Sequence, residues 1–263
     1  MSYANNGRVR LAWDSSGDGP PLLLIMGHRY SRQMWFRVGP ELSRHYRVIT
    51  FDNRGAGEST APWRGFTLED QVADTVAVLD AAHVESAHVY GCSMGGLIAM
   101  HLALKHPDRV RSLVLGCTGW FTKDTLPRPE VKVRQLLGSS ASRRQVAEQL
   151  LYGSARDDAG VAEDMALLKS HRPTLRGVLG QRRAMATVQA AGRDGLSSLA
   201  VPTLILHGEE DRLMPVSFGE DLHRRIPNSK LITYPGAGHA FTTDVADQAN
   251  SDVERFLASQ GSS

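Results

Sequence analysis

The run Gly91-Cys92-Ser93-Met94-Gly95 places one serine between two glycines. Ahead of it, Ala87 to Tyr90 is a short, mostly apolar run that suits a strand covered on both faces. Behind it, Met94 to Lys105 carries a helical pattern that Pro107 stops. A strand that turns sharply into a helix strains the residue at the turn and brings backbone close on both sides. Gly91 and Gly95 lack the β-carbon that would clash there. Ser93 then projects at a helix N-terminus, where N–H groups and the dipole favour negative charge. That is the setting of a nucleophile; the bland alternative is a tight turn with Ser93 as an ordinary N-cap. A serine hydroxyl is a poor nucleophile at neutral pH, so it needs a base, and the base needs an orienting carboxylate. Of the ten histidines, His239 follows a strand in the glycine-rich run Gly236-Ala237-Gly238-His239, a loop that lets an imidazole reach over. His45, His83, His106 and His223 fall in helical or boundary settings and are expected to face solvent. Glu209, Glu210 and Asp211 follow the strand-like run Thr203 to Leu206 and are rivals for the orienting acid.

The elements that must position these groups alternate along the chain. Strand-like runs are Arg8 to Trp13, after the turn signal Asn5-Asn6-Gly7, then Pro21 to Met26, Tyr46 to Phe51, Ser112 to Leu115, Thr203 to Leu206 and Leu231 to Tyr234. Gly17-Asp18-Gly19-Pro20 marks a turn. Helical patterns span Leu68 to Ala81, with acids at its start, and Asp244 to Leu257. Strands alternating with helices predict an α/β fold with a wound, mostly parallel sheet. Thr122 to Leu199 interrupts the alternation: it has no convincing strand and shows helical patterns over Glu130 to Tyr152 and Val161 to Val188. We therefore expect a core built from residues 1–121 and 200–263 and a helical cap over 122–199; a packing layer without substrate contact is the alternative.

Composition narrows the classes. The chain has 263 residues, enough for one domain with a large insertion, an apolar fraction of 41% and a formal net charge of +2. No basic stripe suggests nucleic-acid binding, and Arg143-Arg144 and Arg182-Arg183 read as solvated helix faces. Two cysteines, Cys92 and Cys117, are too few for a disulfide framework and have no metal-ligand spacing. No signal peptide is visible, and the run Leu22 to Met26 is far too short to span a membrane, so a cytoplasmic protein without membrane partners is expected. Arginine far outnumbers lysine, which points to a GC-rich bacterial genome.

Five ordered pieces now carry a resemblance. They are Leu22-Leu23-Leu24-Ile25-Met26-Gly27-His28, Phe51-Asp52-Asn53-Arg54-Gly55-Ala56-Gly57-Glu58-Ser59, the Ser93 turn, Leu206-His207-Gly208-Glu209-Glu210-Asp211 and Gly236-Ala237-Gly238-His239. In this order the chain resembles serine hydrolases of the α/β-hydrolase superfamily over nearly its whole length, most of all small bacterial carboxylesterases and 3-oxoadipate enol-lactonase-like enzymes. The resemblance implies an α/β-hydrolase fold with a helical cap and selects Asp211 over Glu209 and Glu210. It completes a triad of Ser93, Asp211 and His239 in the chain order of such hydrolases. It gives His207 and Asp52 structural roles. The oxyanion hole would take its N–H groups from Met94, next to the nucleophile, and from His28. Where the family usually has His-Gly before that second donor, this chain has Met26-Gly27.

The expected reaction is two-step acyl transfer from a carboxylic ester or lactone through an acyl-enzyme, with a small-molecule substrate and no cofactor or metal. Serine in place of aspartate speaks against haloalkane dehalogenase or epoxide hydrolase chemistry. The same machinery could serve thioester, carbon–carbon bond or perhydrolase chemistry, or a biosynthetic tailoring cyclase; a low-turnover ligand-binding protein is the rival from another class. Assembly into a homo-oligomer stays open. The His28 imidazole is expected either to face the substrate or merely to pack beneath the cap or reach solvent.

Overall fold

The computed structural model describes residues 1–122, 140–171 and 173–261. Eight strands form one sheet: β1 (Ser2–Asn6), β2 (Val9–Ser16), β3 (Pro21–Ile25), β4 (Arg47–Phe51), β5 (Ala87–Cys92), β6 (Val110–Gly116), β7 (Thr203–Gly208) and β8 (Ser229–Tyr234). Their spatial order is β1-β2-β4-β3-β5-β6-β7-β8. β1 pairs antiparallel with β2 and β2 with β4, and every later pair is parallel. This is the wound α/β sheet expected. β1 was not expected, and the reason is visible in its burial: only Ala4 is buried, so an edge strand left the sequence no apolar run. Of the Asn5-Asn6-Gly7 signal only Gly7, with φ 58°, lies in the turn: Asn5 and Asn6 close β1, and Asn6 pairs with Val9 across the hairpin.

The central strands are apolar on both faces because both faces are covered. On β3, Leu23 and Ile25 point into one core with Val89 and Leu97, while Leu22 and Leu24 point into the other with Trp35, Tyr90 and Val253. Each such buried aliphatic side chain contributes about 1.5–3 kcal/mol relative to exposure. Among the described residues the helices are α1 (Gly39–Leu42), α2 (Leu68–Ala81), α3 (Met94–Lys105), α4 (Ser140–Leu151), α5 (Asp158–Ser170), α6 (Leu175–Met185), α7 (Ser217–Arg225), α8 (Phe241–Asp244) and α9 (Ala246–Ala258). α2 starts at a capping box: Thr67 Oγ1 accepts the Asp70 N–H at 3.2 Å, and the Asp70 carboxylate accepts the Thr67 N–H at 2.8 Å. The pattern over Asp244 to Leu257 is α9, which starts two residues later, at Ala246, because Val245 breaks from helical geometry and leaves Asp244 at the end of α8.

Between β6 and β7 the described residues hold α4, α5, α6 and a 3-10 segment (Ala190–Ser198), and no strand. The pattern over Val161 to Val188 divides into α5 and α6 around Pro173, which cannot continue a helix interior. The part of the Glu130 pattern before residue 140 lies outside the described residues. These helices sit tightly on the core. Gly177 of α6 packs backbone to backbone on Gly55, where a β-carbon on Gly55 would come within 2.8 Å of the Gly177 Cα. The Leu151 carbonyl at the end of α4 accepts the Ala240 N–H at 2.7 Å, and Ser154 bonds Glu210 through its N–H and its hydroxyl.

The loop after β4 is held by two buried ion pairs. Asp52 accepts the Arg32 N–H at 2.7 Å, the Glu58 N–H at 2.9 Å and the Arg32 guanidinium. Arg54 clamps Asp74 of α2 with two bonds of 2.5 and 2.6 Å. Burial pushes the Asp74 carboxyl upward, against the lowering effect of the Arg54 bonds. Removing one partner of such a pair strands a buried charge. Asp74→Ala is accordingly expected to lower unfolding free energy by about 3–5 kcal/mol in a urea titration; a loss below ~1 kcal/mol would show that Arg54 finds water or another acceptor.

Candidate active site

Ser93 stands between β5 and α3 with φ 54° and ψ −120°, a strained conformation for a residue with a side chain. Its carbonyl accepts the Thr118 hydroxyl at 2.7 Å, and its N–H donates to the Gly116 carbonyl at 2.9 Å. The two glycines are needed for space. A β-carbon on Gly95 would strike the Ile25 carbonyl and lie 2.9 Å from the Met26 oxygen, and one on Gly91 would strike the Gly95 backbone. The end of β3 and the start of α3 therefore touch through their backbones alone.

The structure brings Asp211 and His239 together. Asp211 Oδ2 accepts from His239 Nδ1 at 2.7 Å. The other carboxylate oxygen, Oδ1, accepts the N–H groups of Leu213 at 2.9 Å and Met214 at 2.7 Å. Burial pushes the Asp211 carboxyl upward, but the charge of His239 and hydrogen bonds from His207 and His239 outweigh it and hold the pKa at about 2. The carboxylate is thus ionised across the range in which an imidazole titrates. The same depression stabilises the fold: the contribution is fully present above the unfolded-chain value near ~4 and is lost as pH falls through about 2. With Nδ1–H given to the carboxylate, Nε2 is left as the proton acceptor, and it lies 4.0 Å from Cys117 Sγ on the cavity wall.

Glu209 and Glu210 are engaged elsewhere, with the Thr233 hydroxyl at 2.8 Å and with Ser154. His207 is fully buried; its Nε2 donates to the Met214 carbonyl at 2.7 Å and lies 3.5 Å from Asp211 Oδ2, so it braces the loop that carries the acid. His45, His83 and His223 are exposed, and His106 is half-buried.

Ser93, His239, His28 and Gly27 border one cavity of about 1260 Å³. Its wall includes Val146 and Leu150 of α4, Met165 and Leu168 of α5 and Val178 of α6. Met94 is the first residue of α3, so its N–H has no partner within the helix. Gly27 is backed against Ser93, where a β-carbon would lie 3.2 Å from the Ser93 Cβ. Ahead of Gly27, Asn53 Nδ2 donates to the Met26 carbonyl at 2.8 Å.

The His28 imidazole borders the cavity, and its Nε2 donates to the Val178 carbonyl of α6 at 2.9 Å. Burial, more than the bond to Val178 and the nearby Arg29 and Arg182, sets its direction of titration: the pKa is lowered and the ring is neutral at neutral pH. Sequence reasoning also passed over Gln181, which contacts the same loop. An amide in a helix belongs to no motif, and its partners lie more than a hundred residues away.

A family model described as the alpha/beta hydrolase fold matches residues 20–242. This chain belongs to that family. A protein named putative carbamate hydrolase RutD from Azorhizobium caulinodans is 32% identical, over 95% of this chain and 96% of its own length. A putative non-heme bromoperoxidase, BpoC, from Mycobacterium tuberculosis is 29% identical over 95% of this chain and 98% of its own. Among solved structures, Est816, described as an N-acyl homoserine lactone degrading enzyme, superposes with a TM-score of 0.82 at 28% identity, covering 97% of this chain and 100% of that one. This alpha/beta hydrolase thus has relatives named for cleavage of carbamates and lactones.

Asp211→Asn should remain folded and lose about 10⁴-fold in kcat, because an amide can present N–H to Nδ1 and hold the imidazole in the wrong tautomer. Steady-state rates beside a circular dichroism melt check this. A rate within about tenfold of wild type would show that the carboxylate does not orient the base.

Proposed function

We propose that the protein is a serine hydrolase that cleaves a carboxylic ester or lactone through an acyl-enzyme. The observation that carries the reading is the Asp211–His239 bond of 2.7 Å on the wall of the cavity that Ser93 enters from a strained turn. In this reading His239 Nε2 takes the Ser93 proton as Oγ attacks the carbonyl carbon. The resulting oxyanion receives the N–H groups of His28 and Met94. His239 then gives the proton to the leaving oxygen as the carbon–oxygen bond breaks. A water, deprotonated by the same nitrogen, attacks the acyl group and restores Ser93. The helices between β6 and β7 act as a cap whose apolar side chains receive the acyl portion.

The named relatives favour one extension: the same groups would cleave a carbamate, whose carbonyl is attacked in the same way. Perhydrolase chemistry, in which peroxide replaces water in the second step, uses the same acyl-enzyme and fits the relative named bromoperoxidase. Charge on the cavity wall limits the substrate further. Among the described residues that border it, Arg29, Lys169 and Arg182 have no ion-pair partner, whereas Asp164 is neutralised by Arg37 and also bonds Tyr152 and Thr243. A cationic ester meets repulsion there.

Ser93→Ala is expected to lower turnover of a short aryl ester by about 10⁴-fold or more, and a fluorophosphonate probe should mark Ser93 in the wild type. Unchanged turnover in the variant, or marking at another residue, would overturn the assignment. Of three esters matched in length, one bearing a quaternary ammonium should show the lowest kcat/KM, and added salt should narrow the gap; equal values at low salt would remove the argument from charge.

A further inference from the structure

The donor assigned to His28 is a backbone N–H in a loop, and a loop donor is useful only if its peptide plane is held. Three bonds hold this one. On the N-terminal side, Asn53 Nδ2 grips the Met26 carbonyl at 2.8 Å. The side chain of His28 itself is tied to the Val178 carbonyl at 2.9 Å. On the C-terminal side, the Arg29 N–H donates to Gln181 Oε1 at 2.7 Å. Arg29 has φ 71°, a left-handed conformation that a side-chain-bearing residue keeps only under restraint.

Gln181 does more than accept that bond. It lies on α6 and is fully buried, with 0% exposure. Its Nε2 donates to the Arg54 carbonyl at 3.0 Å, in the loop after β4. One amide therefore spans the loop after β3, the loop after β4 and the helix above them. Arg54 is itself clamped to Asp74, and Gly55 rests on Gly177 one turn from Gln181, so the anchor on that side is rigid. Both hydrogen-bonding ends of a buried amide are used, which is the arrangement in which its removal is felt most.

We propose that Gln181 is a positioning residue for the oxyanion hole: by fixing the peptide after His28 it keeps the His28 N–H aimed at the developing oxyanion, and it makes the hole's geometry depend on how α6 is seated. The inference rests on the reading of Ser93 as nucleophile and His28 N–H as donor. It gives the inserted helices a part in the chemical step, beyond lining the pocket.

Gln181→Met keeps the length of the side chain and removes both bonds. Its kcat on a neutral aryl ester, its KM, and its affinities for an aryl boronic acid and for the matching neutral anilide are compared with wild type. The boronic acid adds to a serine hydroxyl as a tetrahedral anion, whereas the anilide binds as a ground-state carbonyl. A displaced donor costs about 10–10²-fold, so kcat and boronate affinity should both fall by that factor while KM and anilide affinity stay within about threefold. Gln181→Glu, whose neutral acid form keeps an acceptor for Arg29 and a donor for Arg54, should hold the boronate-to-anilide ratio near wild type at low pH. If Gln181→Met does not fold, Gln181→Asn replaces it with the same readout, because its amide is one methylene too short to span both partners. A folded variant with a lower melting temperature but a wild-type boronate-to-anilide ratio would overturn the proposal and leave Gln181 a purely structural residue. A wild-type protein that binds no boronate and is unaffected by Ser93→Ala would instead overturn the underlying reading.

Discussion

The absence of room at Gly95 is the constraint on which the site depends. The carbonyls of Ile25 and Met26 occupy the space where a side chain would stand. That contact presses the end of β3 onto the first turn of α3. It fixes three things at once: the strained backbone of Ser93, the free N–H at Met94, and the starting point of the loop that carries His28. The apolar layers on both faces of β3 and β5 supply the force that keeps the backbones together, and no hydrogen bond between side chains could replace them.

From that contact the remaining groups are reached through loops, each of which is tied down. Asp211 is held by two backbone N–H groups and braced by His207. The segment around His239 is fastened to the inserted helices by the bond from Ala240 to Leu151, and by Asp244, whose carboxylate accepts N–H groups from both Gly153 and Gly238. The loop after β3 is fastened to α6 by His28 and Gln181. The inserted helices thus support both sides of the cavity, and pocket shape and loop geometry are mechanically linked.

The sheet and the turn at Ser93 were legible because each leaves a local signature. Short apolar runs mark strands buried on both faces, and glycines flank a turn that has no space for side chains. α2 and α3 matched their sequence patterns residue for residue, since Thr67 and Asp70 cap one and Pro107 ends the other. What stayed hidden lacked such a signature. β1 buries a single apolar residue, and the division between α5 and α6 rests on one proline in a continuous helical pattern. The fate of the His28 imidazole was undecidable from its own neighbours, because the Val178 carbonyl that receives it lies 150 positions away. Gln181 was invisible for the same reason.

If Ser93 is acylated during turnover, as proposed, a slowly released acyl group will be caught there. The protein is incubated with an N,N-dialkyl aryl carbamate, whose carbamoyl group water removes slowly, and intact mass and the masses of fragmented peptides are measured after acid quenching. One carbamoyl group per chain, placed on Ser93 itself by fragmenting the peptide that also holds Cys92, and absent when His239 is replaced by alanine, is the predicted result. Release of the aryl alcohol with no modification at Ser93, or with modification on Cys92 or Cys117 instead, would contradict it.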